Sequence, residues 1–226
     1  MDFVVLVHGL AAHPVVMKPL EWRLKRYGFQ VCQWSYPSLR GCIESHGKQL
    51  EHFLQQLGSR DQPVHLVAHS LGTVVVRYML SQREPQGGMS FGPSHRPNLS
   101  GRSVFLAPPS TGTPVARIAS KILGRICPAI AQLSDAATSF TNQLPTLHDQ
   151  EIGIVTARFD LMVPQANTRL AEATHYTEVF GTHSSMLFQS RTAWCVARFL
   201  REGKFGEKQP SPAATASDPP IRMGGL

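Results

Sequence analysis

Phe3–His8 is a nearly continuous apolar run closed by Gly9, which is how a strand buried on both faces reads. The spacing then changes: Val16, Leu20 and Leu24 recur every four residues, predicting a helix over Pro14–Tyr27 with Gly28 as its stop and Pro19 disturbing its first turn. Phe29–Tyr36 predicts a second strand ended by Pro37, and Ile43, Leu50, Phe53, Leu54 and Leu57 mark one face of a helix ending at Gly58. Further strands are predicted over Val64–Ala68, Arg102–Ala107, Ile152–Phe159 and Tyr176–Phe180, and further helices over Leu71–Ser81 and Ser185–Leu200. Glu84–Ser100, rich in Gly, Pro, Ser and Asn, reads as a loop. Strands alternating with helices imply an α/β protein with a parallel sheet, and ligands of such sheets sit beyond the carboxyl ends of the strands.

That rim is where the chemically suggestive residues fall. In Val64–Leu80, a strand-like run tightens to Ala68-His69-Ser70-Leu71-Gly72 and then becomes a helix-length apolar run. A serine at the apex of a strand-to-helix turn needs small neighbours two positions before and after it, because larger ones would collide with the adjoining strand and helix. Ala68 and Gly72 meet that demand. Serine is a weak nucleophile until a base takes its proton, and the base works best when a carboxylate fixes its tautomer. Asp160 follows the fifth strand and His183 the sixth, and the other acids nearby do not sit at a strand's carboxyl end. The expected catalytic residues are therefore Ser70, Asp160 and His183. The expected oxyanion donors are the N–H of Leu71, in the first turn of a helix, and that of Leu10, in the loop His8-Gly9-Leu10. Candidates for lining the substrate are His8, Gly9 and His69 beside the turn, and Pro108, Pro109 and Val163 at strand ends. His8 and His69 read better as packed, hydrogen-bonded residues than as catalytic ones.

Composition narrows the alternatives. The 226 residues suit one domain with a sizeable core, expected over 1–205, and 206–226, dominated by Pro, Ala, Ser and Gly, reads as a disordered tail. The net charge of +7 comes from basic residues dispersed along the chain without aromatic interleaving, which argues against nucleic acid and leaves peripheral contact with an anionic lipid surface as the partner expectation. No apolar run is long enough to span a bilayer, and no basic-then-apolar leader precedes the first strand, so a cytoplasmic location is expected unless a leader has been removed. Cys32, Cys42, Cys127 and Cys195 lack metal-ligand spacing and read as buried free thiols, with a Cys32–Cys42 bridge as the other reading. No metal and no cofactor is expected.

The segments VLVHGL, AHSLG, LAPPSTGT, FDLMVP and GTHSSM together resemble the α/β-hydrolase superfamily, in particular its compact bacterial lipase and esterase-like members, over nearly the whole chain up to Phe205. The resemblance implies a minimal fold: a six-stranded, mostly parallel sheet in the order 2-1-3-4-5-6 flanked by helices. Nucleophile, acid and base occur in that superfamily's chain order. Ala68 departs from the usual first glycine of the motif. Hydrolases of this kind often carry a cap after the fourth strand, here 110–150. In it Thr113 and Pro114 can open a helix with Ile118, Ile122 and Ile126 in one stripe, a basic ridge of Arg117, Lys121 and Arg125, and a stop at Cys127-Pro128. Either its isoleucines pack on the body, or it is a mobile interfacial cap whose Ile118 and Ile122 meet the substrate. The expected activity is hydrolysis of a hydrophobic carboxylic ester through an acyl-enzyme. Acyl transfer from the same intermediate is one alternative, and a non-catalytic binding module on a hydrolase scaffold is another.

Overall fold

The β-branched run at the start of the chain becomes β1 (Phe3–Val7), every residue of which is buried. A computed structural model describes residues 1–57, 63–83, 99–124, 127–136, 139–148 and 150–206. The remaining strands are β2 (Gln30–Trp34), β3 (Val64–His69), β4 (Ser103–Leu106), β5 (Ile152–Ala157) and β6 (His175–Val179). They form one six-stranded sheet in the order β2-β1-β3-β4-β5-β6, with every neighbouring pair parallel. In chain order the helices are α1 (Lys18–Arg26), α2 (Ile43–Gln56), α3 (Leu71–Ser81), α4 (Pro114–Leu123), α5 (Pro128–Gln132), α6 (Phe140–Gln143) and α7 (Ser190–Glu202).

Successive side chains of a strand point to opposite faces, so β1 feeds two cores. Val4 and Leu6 join Leu20 and Leu24 of α1 and Val196, Phe199 and Leu200 of α7. Val5 and Val7 join Leu50 and Leu54 of α2, Val75 and Met79 of α3, and Ile130 and Leu133 from the segment after β4. Each fully buried leucine contributes about 1.5–3 kcal/mol, and both cores hold several, so the sheet is a stiff platform for the loops at its carboxyl edge.

The helix predicted from Pro14 begins later. Pro14–Met17 is a 3-10 turn and the α-helix starts at Lys18. Pro19 has no N–H to give the preceding turn, and it is tolerated only where that donor would be unsatisfied, in the first turn of the helix that follows. Likewise Ser185–Phe188 is a 3-10 turn, and α7 runs to Glu202, where Gly203 closes it at φ 72°. Thr113 does open α4, its Oγ1 accepting from the N–H of Ala116 at 3.2 Å. Cys127-Pro128, expected to end that helix, instead starts α5, with Pro128 in the first turn.

Of the two readings for α4, packing of its isoleucines on the body does not hold at Ile118, the one isoleucine of the stripe whose side chain is described. Ala116 is buried and Ala119 half-buried, whereas Ile118 is 64 % exposed. Small side chains let this helix sit close to the body and turn Ile118 outward. Arg117 of the basic ridge is held by Asp135 at 3.2 Å. The structures of Arg125 and Ile126 and the side chains of Lys121 and Ile122 fall outside the described residues, as do residues 84–98 of the loop expected over Glu84–Ser100 and the tail beyond Gly206. All four cysteines are free thiols. Cys127 and Cys195 are buried, Cys32 and Cys42 only half-buried. Among the described residues no helix is long and apolar enough to cross a membrane.

Candidate active site

Ser70 stands between β3 and α3 with φ 52° and ψ −124°, a conformation that non-glycine residues seldom adopt. The surroundings hold it there. Its N–H donates to Leu106 O of β4 at 3.0 Å, and its carbonyl accepts from the N–H of Thr73 at 2.9 Å and from Thr73 Oγ1 at 2.7 Å. A serine preceding a helix ordinarily caps it with its hydroxyl. Ser70 makes no such bond, and its Oγ lies 2.9 Å from His183 Nε2 instead.

Close approach of backbone explains the glycines around it. A Cβ on Gly72 would meet His8 O at 2.6 Å and Val7 O at 2.8 Å, so the first turn of α3 is pressed onto the end of β1. A Cβ on Gly9 would come within 3.0 Å of Ser70 Cβ, which puts the loop carrying Leu10 directly beside Ser70. The loop is fixed from behind by Tyr36, at the end of β2, whose hydroxyl donates to His8 O at 2.9 Å and whose ring stacks on the His8 imidazole at 4.5 Å. Burial holds His8 below the usual histidine range, opposed by its bond to the Gly9 carbonyl.

Asp160 and His183 are brought in by the two following strands, whose pairing continues past their ends. Phe159 N–H donates to Gly181 O at 2.9 Å, tying the two loops together. Asp160 Oδ1 accepts from the N–H groups of Met162 (2.9 Å) and Val163 (2.8 Å), which fixes the carboxylate. Oδ2 lies 2.7 Å from His183 Nδ1, with the Asp160 side chain only 4 % exposed. A carboxylate acceptor selects the tautomer with its proton on Nδ1, leaving the Nε2 lone pair to accept from the Ser70 hydroxyl.

His69 adds a support that sequence reasoning did not specify. Its Nε2 donates to the main-chain oxygen of His183 at 2.9 Å, and the two rings lie 4.8 Å apart. Burial, reinforced by the neighbouring His183, pushes the His69 pKa down to about 3, so it stays neutral beside the His183 imidazole. Behind α3, Arg77 donates to Ser110 O at 3.2 Å and faces Glu172 at 3.7 Å, a buried pair linking α3 to the loops after β4 and before β6. Burial lowers the Arg77 pKa, and Glu172 opposes that shift. The only sequence signal for Tyr36 and Arg77 is their place, one at the carboxyl end of β2 and the other inside an otherwise apolar helix.

Of the substrate-lining candidates, Gly9 adjoins Ser70, while His8, His69 and Val163 are buried in the bonds and packing just described. Pro108 and Pro109 are buried at the end of β4, and Ile118 points outward. Apolar groups at the rim that sequence reasoning did not single out are Phe159, Leu161, Met162 and Phe180, between 48 % and 89 % exposed. Among the described residues no cluster of three or more His, Cys, Asp or Glu side chains could hold a metal ion.

A family model described as the alpha/beta hydrolase family matches residues 4–219. The chain belongs to that family. A comparison with curated proteins finds no match. Among solved structures this α/β hydrolase is similar to the Bacillus licheniformis lipase BlEst2 in its mature form, at 16 % identity and TM-score 0.65, covering 88 % of this chain and 90 % of that one. It is similar also to the monoacylglycerol lipase of Paleococcus ferrophilus, at 18 % identity and TM-score 0.59, covering 88 % and 93 %. A carboxyl esterase of metagenomic origin, MGS0156, aligns at 16 % identity and TM-score 0.63 over 82 % of this chain and 65 % of that one. At such identities the likeness is one of fold. Family and fold together support a hydrolase.

Proposed function

We propose that this α/β hydrolase is a serine carboxylester hydrolase acting on a hydrophobic ester, with Ser70 as nucleophile, His183 as base and Asp160 as acid. One observation carries the reading: an unbroken line of hydrogen bonds, 2.9 Å from Ser70 Oγ to His183 Nε2 and 2.7 Å from His183 Nδ1 to Asp160 Oδ2. As Ser70 Oγ attacks the ester carbonyl carbon, its proton passes to His183 Nε2, and Asp160 stabilises the imidazolium. The oxyanion is received by the N–H groups of Leu71 and Leu10, each such donor being worth roughly 10²–10³ in rate. Nε2 then gives its proton to the departing alkoxide, leaving an acyl-Ser70. A water that gives a proton to the same nitrogen attacks the acyl carbon, and as the acyl–Oγ bond breaks Nε2 returns that proton to Ser70 Oγ and the acid leaves.

The exposed Phe159, Leu161, Met162 and Phe180 favour an apolar acyl or alcohol group, since water gains by giving up such a rim to substrate. We read 1–205 as one domain and 110–150 as its cap, with the outward Ile118 available to substrate.

A fluorophosphonate probe tests the chemistry. Labelling of the wild type that disappears in Ser70→Ala is expected, and labelling that persists in Ser70→Ala, or is absent from both, refutes the assignment. Hydrolysis of p-nitrophenyl esters of increasing chain length should then rise beyond acetate, as an apolar rim requires.

A further inference from the structure

The sheet separates two helical layers of different charge. On one face, α2 and α3 carry Lys48 and Arg77 against Glu44 and Glu51. On the other, α1 and α7 carry seven Lys and Arg against two Glu. The helices α1 and α7 thus carry a net charge of +5, whereas α2 and α3 balance, although the basic residues look scattered in sequence. Both acids of that layer are already engaged: Glu21 by Lys18 at 2.9 Å and Lys25 at 2.6 Å, Glu202 by Arg198 at 2.9 Å.

Within this basic layer stands an exposed aromatic. Trp22, on the outer side of α1, is 57 % exposed, with the guanidinium of Arg26 4.8 Å and that of Arg23 5.9 Å from its ring. Val15, 58 % exposed, lies in the 3-10 turn that precedes α1, and Phe188, 51 % exposed, lies in the turn packed beside α1. α1 starts just after the loop at the carboxyl end of β1, so the Val15 and Phe188 end of this patch shares an edge of the sheet with Ser70.

We propose that the α1–α7 face is a docking surface for an anionic lipid bilayer, with Trp22 seated at headgroup level and Arg23 and Arg26 over lipid phosphates. Charge complementarity supplies the attraction, about fivefold in affinity per cation near such a surface. The exposed apolar groups decide the class of partner. A nucleic-acid backbone would use the cations and leave Val15 and Phe188 in water, whereas the interface of a bilayer takes an indole, an aliphatic and a phenyl group together with their flanking arginines. Docking is independent of the catalytic assignment, and the Ser70→Ala protein should bind equally.

The test is co-sedimentation of the full chain with phosphatidylcholine vesicles with and without phosphatidylglycerol. Binding is expected only with phosphatidylglycerol and should weaken as salt rises. Arg23→Gln/Arg26→Gln should reduce the partition coefficient on the order of 25-fold. Trp22→Ala should reduce it at every salt concentration, because its contribution is apolar. All three replaced residues lie outside the proposed catalytic machinery, so hydrolysis of a soluble p-nitrophenyl ester and the melting temperature report that each variant is folded. Equal binding to pure phosphatidylcholine, unchanged binding by the double variant, or binding to duplex DNA that is tighter than to vesicles at the same salt and indifferent to Trp22→Ala would each overturn the proposal.

Discussion

Replacing His69 with Gln separates the two things this residue does. In the folded chain its imidazole is buried, and its pKa is held near 3 by desolvation first and by His183 second, against an ordinary value of 6.5. A folded pKa below the unfolded one means that the unfolded chain binds more protons in the window between them. Stability from this group is therefore complete above about pH 6.5 and is lost progressively as pH falls toward 3. Integrating that difference from pH 7 to pH 5 gives a loss of about 2 kcal/mol for His69 alone. Glutamine cannot titrate but keeps an N–H donor for the His183 carbonyl. Urea unfolding at pH 7 and pH 5 should show the wild type losing about 2 kcal/mol more than His69→Gln between the two conditions. His8, His46 and His65 are also lowered by burial and add the same acid sensitivity to both proteins, so the difference isolates His69. A parallel loss in the two proteins would refute the argument. In activity, His69→Gln should keep kcat within about tenfold. His69→Leu should lose more, and in kcat rather than KM, because the donor positions the proposed base, His183, through its main chain.

Two further substitutions probe the frame around the site. Gly72→Ala places a methyl 2.6 Å from His8 O and 2.8 Å from Val7 O, neither of which can swing away. A loss of about 1–3 kcal/mol in stability and a drop in kcat are expected, measured by thermal unfolding and ester hydrolysis, and a fully active, equally stable variant would contradict the close packing of α3 on β1. Arg77→Met leaves Glu172 buried beside an apolar group, at an expected cost of about 3–5 kcal/mol, whereas Arg77→Met/Glu172→Leu should recover most of it in chemical denaturation.

How far the fold could be read from sequence depended on what each signal measures. Hydrophobic runs report burial, and β1, β3 and β5, buried along their whole length, were legible with ends displaced by one or two residues. Proline reports a missing donor and not a direction. Pro19 and Pro128 mark places where a helix starts, and sequence alone made the second of these a stop. On α4 the buried positions described are the alanines, Ala116 and partly Ala119, while Ile118 is exposed, so an apolar residue's place in a stripe did not tell which surface it faces.

The proposed triad was legible because each member directly follows a strand, so local pattern and topology together set its place. The supports were not, since Tyr36 reaches a carbonyl 28 residues away and His69 one 114 residues away, and no local pattern encodes such pairs. The charge asymmetry was hidden for a related reason. From β1 the chain steps to β2 on one side and then crosses back to β3 on the other. Right-handed crossovers in opposite directions must lie on opposite faces, which assigns α1 to one layer and α2 and α3 to the other. The chain end then closes with α7 beside α1, so basic residues near both ends of the sequence meet on one surface. The same reversal opens the crevice between β1 and β3 where Gly9 meets Ser70. A single topological choice thus creates both the place for the proposed chemistry and the basic α1–α7 face beside it.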